Sequence, residues 1–171
     1  MKNTLVLFSL VIAVFGCKNI NNTHETTYSG EGYSLRFPSN WEIQTEEVPG
    51  VVLIARSPKE STNDESQAIV SVIIENVPEQ MSNEAYLDLN LTQIVKLHEL
   101  PSDSKFTPVQ IGQYGGHHLP FVEQGEGNVF VDFYTVIEGS KAYAIICSME
   151  KEKRELYNHT MNSIISTLII E

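Results

Sequence analysis

The sequence predicts an α+β fold in which an antiparallel β-sheet carries helices on both of its faces. Apolar residues alternate with polar ones through most of residues 28–171, as in half-buried strands. Residues 68–77 are apolar on both faces, which indicates a sheet covered from both sides. Two further segments, residues 82–98 and the region after Glu150, place apolar residues at helical spacing.

The first sixteen residues have the features of a signal peptide. Lys2 supplies a positive charge, and residues 5–15 form an apolar run interrupted only by Ser9. This run is too short to span a bilayer, which takes about 20 residues. Gly16 precedes Cys17, and the segment VFGC resembles the lipobox of bacterial lipoproteins, whose cysteine becomes lipidated. We therefore predict a lipoprotein signal peptide over residues 1–16 and lipidation at Cys17; an ordinary signal peptide and a short uncleaved anchor are the alternatives.

The segment that follows is polar. Residues 18–27 read KNINNTHETT, a composition typical of a flexible tether. Several acyl chains on Cys17 would hold the protein on a membrane durably, whereas a single chain anchors only marginally. Residues 17–27 are thus predicted to be the lipidated cysteine and its tether, and residues 28–171 the folded domain.

Charge and length limit the possible functions. The 22 acidic and 11 basic residues give a formal charge of −11. A field of that sign repels nucleic acid, so nucleic acid is not expected as a partner. Residues 28–171 suffice for one domain but hardly for two.

The first strand ends in a corner. In the segment GEGYSLRFPSNWEI, residues 30–43, alternation places Tyr33, Leu35 and Phe37 on one face. Pro38 cannot continue a strand ladder and turns the chain. Trp41 is then predicted to fold back over the strand.

Two strands and a helix come next. Residues 51–56 and 68–77 are predicted strands. Ser82 is the predicted N-cap of a helix, and Met81 and Tyr86 are spaced as a hydrophobic staple. The apolar stripe of this helix consists of Leu87, Leu91, Ile94, Val95 and His98.

The second half of the chain is predicted to be a meander. A turn is expected at residues 114–116, and Pro108 and Pro120 indicate edge or bulged strands on either side of it. Gly139-Ser140 is a two-residue loop of the type II′ kind, which sets Glu138 opposite Lys141. Counting back from this loop pairs Val136 with Tyr143, Tyr134 with Ile145, Asp132 with Cys147 and Phe130 with Met149.

A closing helix is predicted to start near Glu150. Its apolar stripe consists of Leu156, Tyr157, Met161, Ile164, Ile165 and Leu168.

These residues together resemble a known family. The GYSLRFPSNWE corner, the central strands, the EGSKAYAIIC hairpin and the final IISTLII are similar to PsbP-like proteins, including bacterial envelope lipoproteins of the DcrB type. The resemblance covers roughly residues 28–171 and implies an α/β/α sandwich. It also implies an accessory or assembly role with an envelope protein partner.

Motifs that carry common chemistries are absent from the sequence. It contains no glycine-rich phosphate loop, HExxH, CxxC or GxSxG. We therefore expect no enzymatic activity and no cofactor.

His117 and His118 are the sharpest metal-binding candidates. Neighbouring residues on a regular strand point to opposite faces, so the two would share an ion only in an irregular loop. Gly115 and Gly116 offer such a loop, with Glu123 or Glu126 as further ligands. The favoured interpretation is two half-exposed histidines at the start of a strand. His98 is expected at the edge of the core, His159 in solvent and His24 in the tether.

Cys147 and Asp132 are best considered together. The predicted register sets the carboxylate opposite the thiol, which disfavours the thiolate, so Cys147 should be inert. Asp132 is either a polar anchor in a ligand cleft or a hydrogen-bonded acid near a strand end. The acidic residues 60–65 are predicted to form a solvated loop, with weak calcium binding as the alternative.

Two classes of function remain open. The first is a membrane-anchored envelope lipoprotein with a non-enzymatic domain that binds an envelope partner or a small ligand. The second is a metal-binding protein or an enzyme that uses the His117-His118 region.

Overall fold

A computed structural model describes residues 24–30, 32–45, 50–61, 66–123 and 128–171 of the chain. The predicted signal peptide, Cys17 and the tether up to residue 23 lie outside the described residues. Pro49, residues 62–65 of the acidic loop and Glu126 also lie outside them. In the part of the chain that is described, no helix is both long enough and apolar enough to cross a membrane.

The described residues form ten strands, two α-helices and one short 3₁₀ helix. The first five strands are β1 (Glu25–Gly30), β2 (Tyr33–Pro38), β3 (Glu42–Gln44), β4 (Val51–Arg56) and β5 (Ile69–Asn76). Helix α1 (Asn83–Leu97) precedes β6 (Thr107–Ile111), β7 (Tyr114–Glu123), β8 (Val129–Glu138) and β9 (Lys141–Glu150). The 3₁₀ helix (Lys151–Lys153), α2 (Arg154–Ser166) and β10 (Ile169–Ile170) complete the fold.

The strands form two antiparallel sheets. The larger has the order β3-β4-β5-β9-β8-β7-β6, and the smaller has the order β1-β2-β10. Helix α2 and the smaller sheet pack against one face of the larger sheet and enclose the main core. Helix α1 lies on the opposite face, where Tyr86 packs with Val77 and Ala142. The predicted α+β fold with helices on both faces is therefore confirmed.

The predicted corner is present. Tyr33, Leu35 and Phe37 are fully buried on one face of β2. After Pro38 the chain turns, and the Trp41 ring lies 6.3 Å from the Phe37 ring. Burial of these rings fixes β2 against the main core.

The β8–β9 hairpin has the predicted register. Glu138 pairs with Lys141, and the four pairs predicted upstream of it are all present. Gly139 has a φ of +60°, which the first position of a type II′ loop requires.

The β6–β7 turn was predicted in the wrong place. It is formed by Gly112 and Gln113, while Gly115 and Gly116 lie inside β7. Gly112 is needed because its φ is +56° and a Cβ there would lie 2.5 Å from the Leu168 carbonyl oxygen. The turn therefore packs closely against the backbone of Leu168.

The two prolines in this region occupy edges, as predicted. Pro108 lies on β6, the last strand of the larger sheet. Pro120 lies on the part of β7 that extends beyond the β6 pairing, which ends at His118. Proline has no N–H to donate to a strand ladder, and both positions have one side without a neighbouring strand in the described part of the chain.

Helix α1 begins as predicted. The Ser82 Oγ accepts a hydrogen bond from the Ala85 N–H at 3.2 Å. The predicted stripe is only half-buried, and Tyr86 is the buried residue of the helix.

The ends of the domain differ from the predictions. Strand β1 begins at Glu25, inside the predicted tether, because Glu25 to Gly30 pair along the whole of β2. The last helix begins at Arg154 rather than near Glu150, because Glu150 still pairs with Val129. Leu156 is 60% exposed and is not part of the buried stripe. Leu168 is buried but lies beyond the helix, before the unpredicted strand β10.

Candidate functional site

A polar cleft lies between α2 and the β6–β8 end of the larger sheet. Its volume is about 410 Å³, within the range typical of small-molecule sites. It is lined by Val109, Gln110, His118, Asp132, Tyr134, Arg154, Asn158, Asn162, Ile165 and Ser166.

An imidazole–carboxylate pair forms the sheet side of the cleft. The β7–β8 register sets His118 opposite Tyr134 and Pro120 opposite Asp132. His118 and Asp132 are therefore diagonal neighbours on one face of the sheet. Nε2 of His118 lies 2.7 Å from Oδ1 of Asp132, and since an ionised carboxylate only accepts, Nε2 carries the proton.

Stacking fixes the orientation of this imidazole. The rings of His118 and Tyr134 are 4.4 Å apart and inclined by 13°. The His118 side chain retains 21% of its exposure and that of Asp132 retains 12%. The pair is thus held rigidly and remains accessible from the cleft.

The helical side of the cleft is a polar stripe. Arg154, Asn158, Asn162 and Ser166 are four residues apart and follow one face of α2. Nδ2 of Asn162 donates to Oδ1 of Asn158 at 3.1 Å. The Arg154 guanidinium carbon lies 4.1 Å from the centre of the Phe130 ring, a cation–π contact.

The cleft combines charges of both signs with buried aromatic surface. Burial raises the pKa of Tyr134, and the nearby Asp132 carboxylate raises it further. Tyr134 therefore stays a neutral phenol throughout the physiological range. Arg154 supplies a positive charge to the same cleft.

Cys147 does not contribute to the cleft. It pairs with Asp132 across the β8–β9 ladder and is fully buried. Burial raises its thiol pKa, and Asp132 adds to the effect. The predictions of a hydrogen-bonded Asp132 and an inert Cys147 agree with this geometry, and Asp132 also lines a cleft.

The structure separates the two metal-binding candidates. His117 and His118 lie inside the regular strand β7 rather than at its start, so their side chains leave opposite faces. The His117 ring lies 6.4 Å from Phe106, on the side of α1. A single ion shared by both histidines is thus incompatible with the strand, and no group of three or more potential metal ligands occurs among the described residues.

The other predicted ligands are used elsewhere. Glu123 accepts from His98, with Nδ1 and Oε1 3.2 Å apart. Glu60, at the start of the acidic loop, accepts a hydrogen bond from the Tyr157 hydroxyl at 3.1 Å. His159 is exposed on α2, as expected, and His24 directly precedes β1.

Sequence reasoning missed the helical side of the cleft. Arg154, Asn158, Asn162 and Ser166 formed a recognisable pattern, because polar residues recur every four positions beside the apolar stripe. It also missed the coupling of His118 to Asp132, which depends on a strand register that the sequence did not reveal.

Comparison with known proteins identifies the fold. No protein-family model and no curated protein matches the sequence. The structure of the cyanobacterial PsbP protein CyanoP from Synechocystis is similar, with a TM-score of 0.65 and 13% identity over 92% of this chain and 99% of that one.

Two further structures share the architecture. LpqN of Mycobacterium tuberculosis, described as involved in cell envelope biogenesis, has a TM-score of 0.60 and 11% identity over 88% of this chain and 92% of that one. A Pseudomonas aeruginosa protein of unknown function, PA94, has a TM-score of 0.58 and 12% identity over 86% of this chain and 98% of that one. The chain therefore has a PsbP-like fold.

Proposed function

We propose that the protein is a lipid-anchored component of the bacterial cell envelope whose PsbP-like domain is a non-enzymatic binding module. The observation that carries this proposal is the polar cleft of α2 and β6–β8, where His118 and Asp132 form a rigid, accessible pair. The module binds its ligand at this cleft and acts as an accessory factor for an envelope protein.

The leader supports the location. Residues 1–16 have the pattern of an export signal, and Cys17 stands where lipoproteins are acylated. The fold also occurs in LpqN, described as involved in cell envelope biogenesis. Anchoring to the membrane through Cys17 would place the domain on the exported side, in the periplasm.

The composition of the cleft supports binding rather than catalysis. An imidazole beside a carboxylate is a general-base arrangement, but covalent catalysis also needs an activated nucleophile within reach. The Cys147 thiol, which pairs with Asp132 across the β8–β9 ladder, is fully buried. The Ser166 hydroxyl donates to the Ser163 carbonyl at 2.7 Å. The cleft residues described thus offer hydrogen bonds and charge to a ligand.

Acylation is tested by labelling cells with a fatty-acid precursor and fractionating them. We expect label in the membrane fraction for the parent chain and its loss in Cys17→Ser. Cys147→Ser is the matched control and should retain label. Label that persists in Cys17→Ser would refute the anchor.

Binding at the cleft is tested by cross-linking in intact cells, followed by purification of the full chain. A recurrent envelope partner should be lost in His118→Ala and retained in His159→Ala, a change on the exposed part of α2. Equal recovery from both variants would remove the cleft from the proposal.

Metal binding is the second candidate, since His118 retains an accessible imidazole. Metal analysis of the purified chain distinguishes metal binding from the non-metallic binding module. Stoichiometric, tightly held zinc that disappears in His118→Ala and persists in His117→Ala would overturn the non-metallic binding module.

A further inference from the structure

We propose that the cleft of α2 and β6–β8 binds a neutral, hydroxyl-rich ligand of one or two sugar rings. The inference rests on the proposed function, in which this cleft is the binding site.

The hydrogen-bonding groups of the cleft are mixed in type. Asn158 and Asn162 are carboxamides, each of which donates and accepts. A sugar hydroxyl likewise donates and accepts, so a ring with several hydroxyls matches such a surface. A simple anion would use only the donors of this surface, and a simple cation only its acceptors.

The internal hydrogen bonds of the cleft leave both kinds of group available. Asn162 donates to Asn158, which leaves the Asn158 amide N–H groups and the Asn162 carbonyl for a ligand. The two asparagines thus offer both a donor and an acceptor to a ligand.

The charges of the cleft oppose a strongly charged ligand. Asp132 faces the cleft and would repel an anion, while Arg154 would repel a cation. Arg154 has no ion pair with another described residue, and its contact with Phe130 uses the guanidinium face. Its N–H groups therefore suit hydroxyl oxygens of a neutral ligand, and the formal charge of −11 further disfavours an anion.

The size of the cleft also suits such a ligand. A cleft of about 410 Å³ has room for a disaccharide-sized ligand. Val109 and Ile165 add apolar contact beside the polar groups, and a sugar ring also presents C–H surface beside its hydroxyls.

The experiment is calorimetric titration of the full chain, purified in a polyoxyethylene detergent, with three probes. The probes are the disaccharide of N-acetylglucosamine, maltose, and citrate as an anion of comparable size. We expect at least one disaccharide to bind, and a double variant Asn158→Ala, Asn162→Ala to weaken it roughly tenfold, as the loss of two ligand hydrogen bonds predicts. Asn76→Ala, at the exposed end of β5, is the matched control and should bind like the parent.

The failures of the two proposals are distinguishable. Citrate that binds more tightly than both sugars, and is lost in Arg154→Gln, would overturn the sugar class and retain the cleft as a binding site. If neither sugar binds while cross-linking still depends on His118, the sugar inference alone is wrong. If neither sugar binds and cross-linking is independent of His118, both proposals are wrong. Circular dichroism of each variant confirms that α2 is intact.

Discussion

Asp132 and Cys147 stand directly opposite each other in the β8–β9 ladder, with the thiol fully buried on the core face of the larger sheet. Oδ1 of the Asp132 carboxylate lies 2.7 Å from Nε2 of His118. One carboxylate therefore does two things: it completes the polar pair of the cleft and disfavours ionisation of the thiol.

Cys147 should be unreactive in the folded protein. Burial and Asp132 raise its pKa, so no thiolate is available near neutral pH. We expect no alkylation of Cys147 by iodoacetamide at pH 8 under native conditions and complete alkylation in urea, read by peptide mass spectrometry. A cysteine introduced by Ser163→Cys, at an exposed position of α2, should be alkylated in both conditions. Native alkylation of Cys147 at a comparable rate would contradict its burial.

Removal of the His118 imidazole should destabilise the fold. His118→Ala leaves the buried Asp132 carboxylate without its hydrogen-bond partner. The expected loss is about 1–3 kcal/mol in the free energy of unfolding, measured in urea. His159→Ala is the control and should change it by less than about 0.5 kcal/mol. Equal effects of the two changes would show that the pair adds nothing to stability.

The sequence predicted those parts of the fold in which a local signal determines a non-local contact. The two-residue Gly139-Ser140 loop sets the whole β8–β9 register, including the pairing of Asp132 with Cys147. Alternation in β2 correctly identified the core face of Tyr33, Leu35 and Phe37. In both cases a few neighbouring residues contain the information.

The predictions were wrong where the structure depends on contacts between residues that are distant in the sequence. Gly115 and Gly116 looked like a turn, but Gly116 is a strand residue whose Cβ would lie 2.8 Å from the Thr135 carbonyl oxygen of β8. That misplaced turn put His118 at a strand start and concealed its contact with Asp132. Strand β1 lacks strong apolar alternation and is defined by its pairing with β2, which a single-strand pattern does not report.

Gly112, the glycine of the β6–β7 turn, should not tolerate a side chain. A Cβ at this position meets the Leu168 carbonyl oxygen at 2.5 Å, and the φ of +56° is itself unfavourable for alanine by about 1–2 kcal/mol. We expect Gly112→Ala to lower the free energy of unfolding by more than about 2 kcal/mol, because the contact is with backbone and has little room to relax. Thermal and urea unfolding measure this loss.

Gly115→Ala provides the matched control for this change. Gly115 lies in β7 without a positive φ, and a Cβ added to it would have no other atom within 4 Å. Its substitution should be neutral or slightly stabilising, since alanine reduces the freedom of the unfolded chain. If both substitutions had the same effect, the close approach of Gly112 to Leu168 would not be a determinant of stability.

Tyr86 should make stability depend on alkaline pH. Burial, and then the hydrogen bond and charge of Glu75, raise the pKa of Tyr86 from 10.0 to about 12. Below pH 10 the folded and unfolded states are both protonated, so the contribution of Tyr86 is fully present. Between pH 10 and about 12 the unfolded tyrosine releases its proton while the folded one retains it, and stability falls as the pH rises.

Two variants isolate this contribution. Tyr86→Phe should make the decrease in the free energy of unfolding between pH 10 and about 12 shallower, and Glu75→Gln should give an intermediate slope because it removes the charge but not the burial. Part of the slope will remain, since the pKa values of Tyr134, Tyr143 and Tyr157 are also raised. Urea unfolding at half-unit steps of pH measures the slopes. An unchanged slope in Tyr86→Phe would mean that the contact between α1 and β5 leaves the ionisation of Tyr86 unaffected.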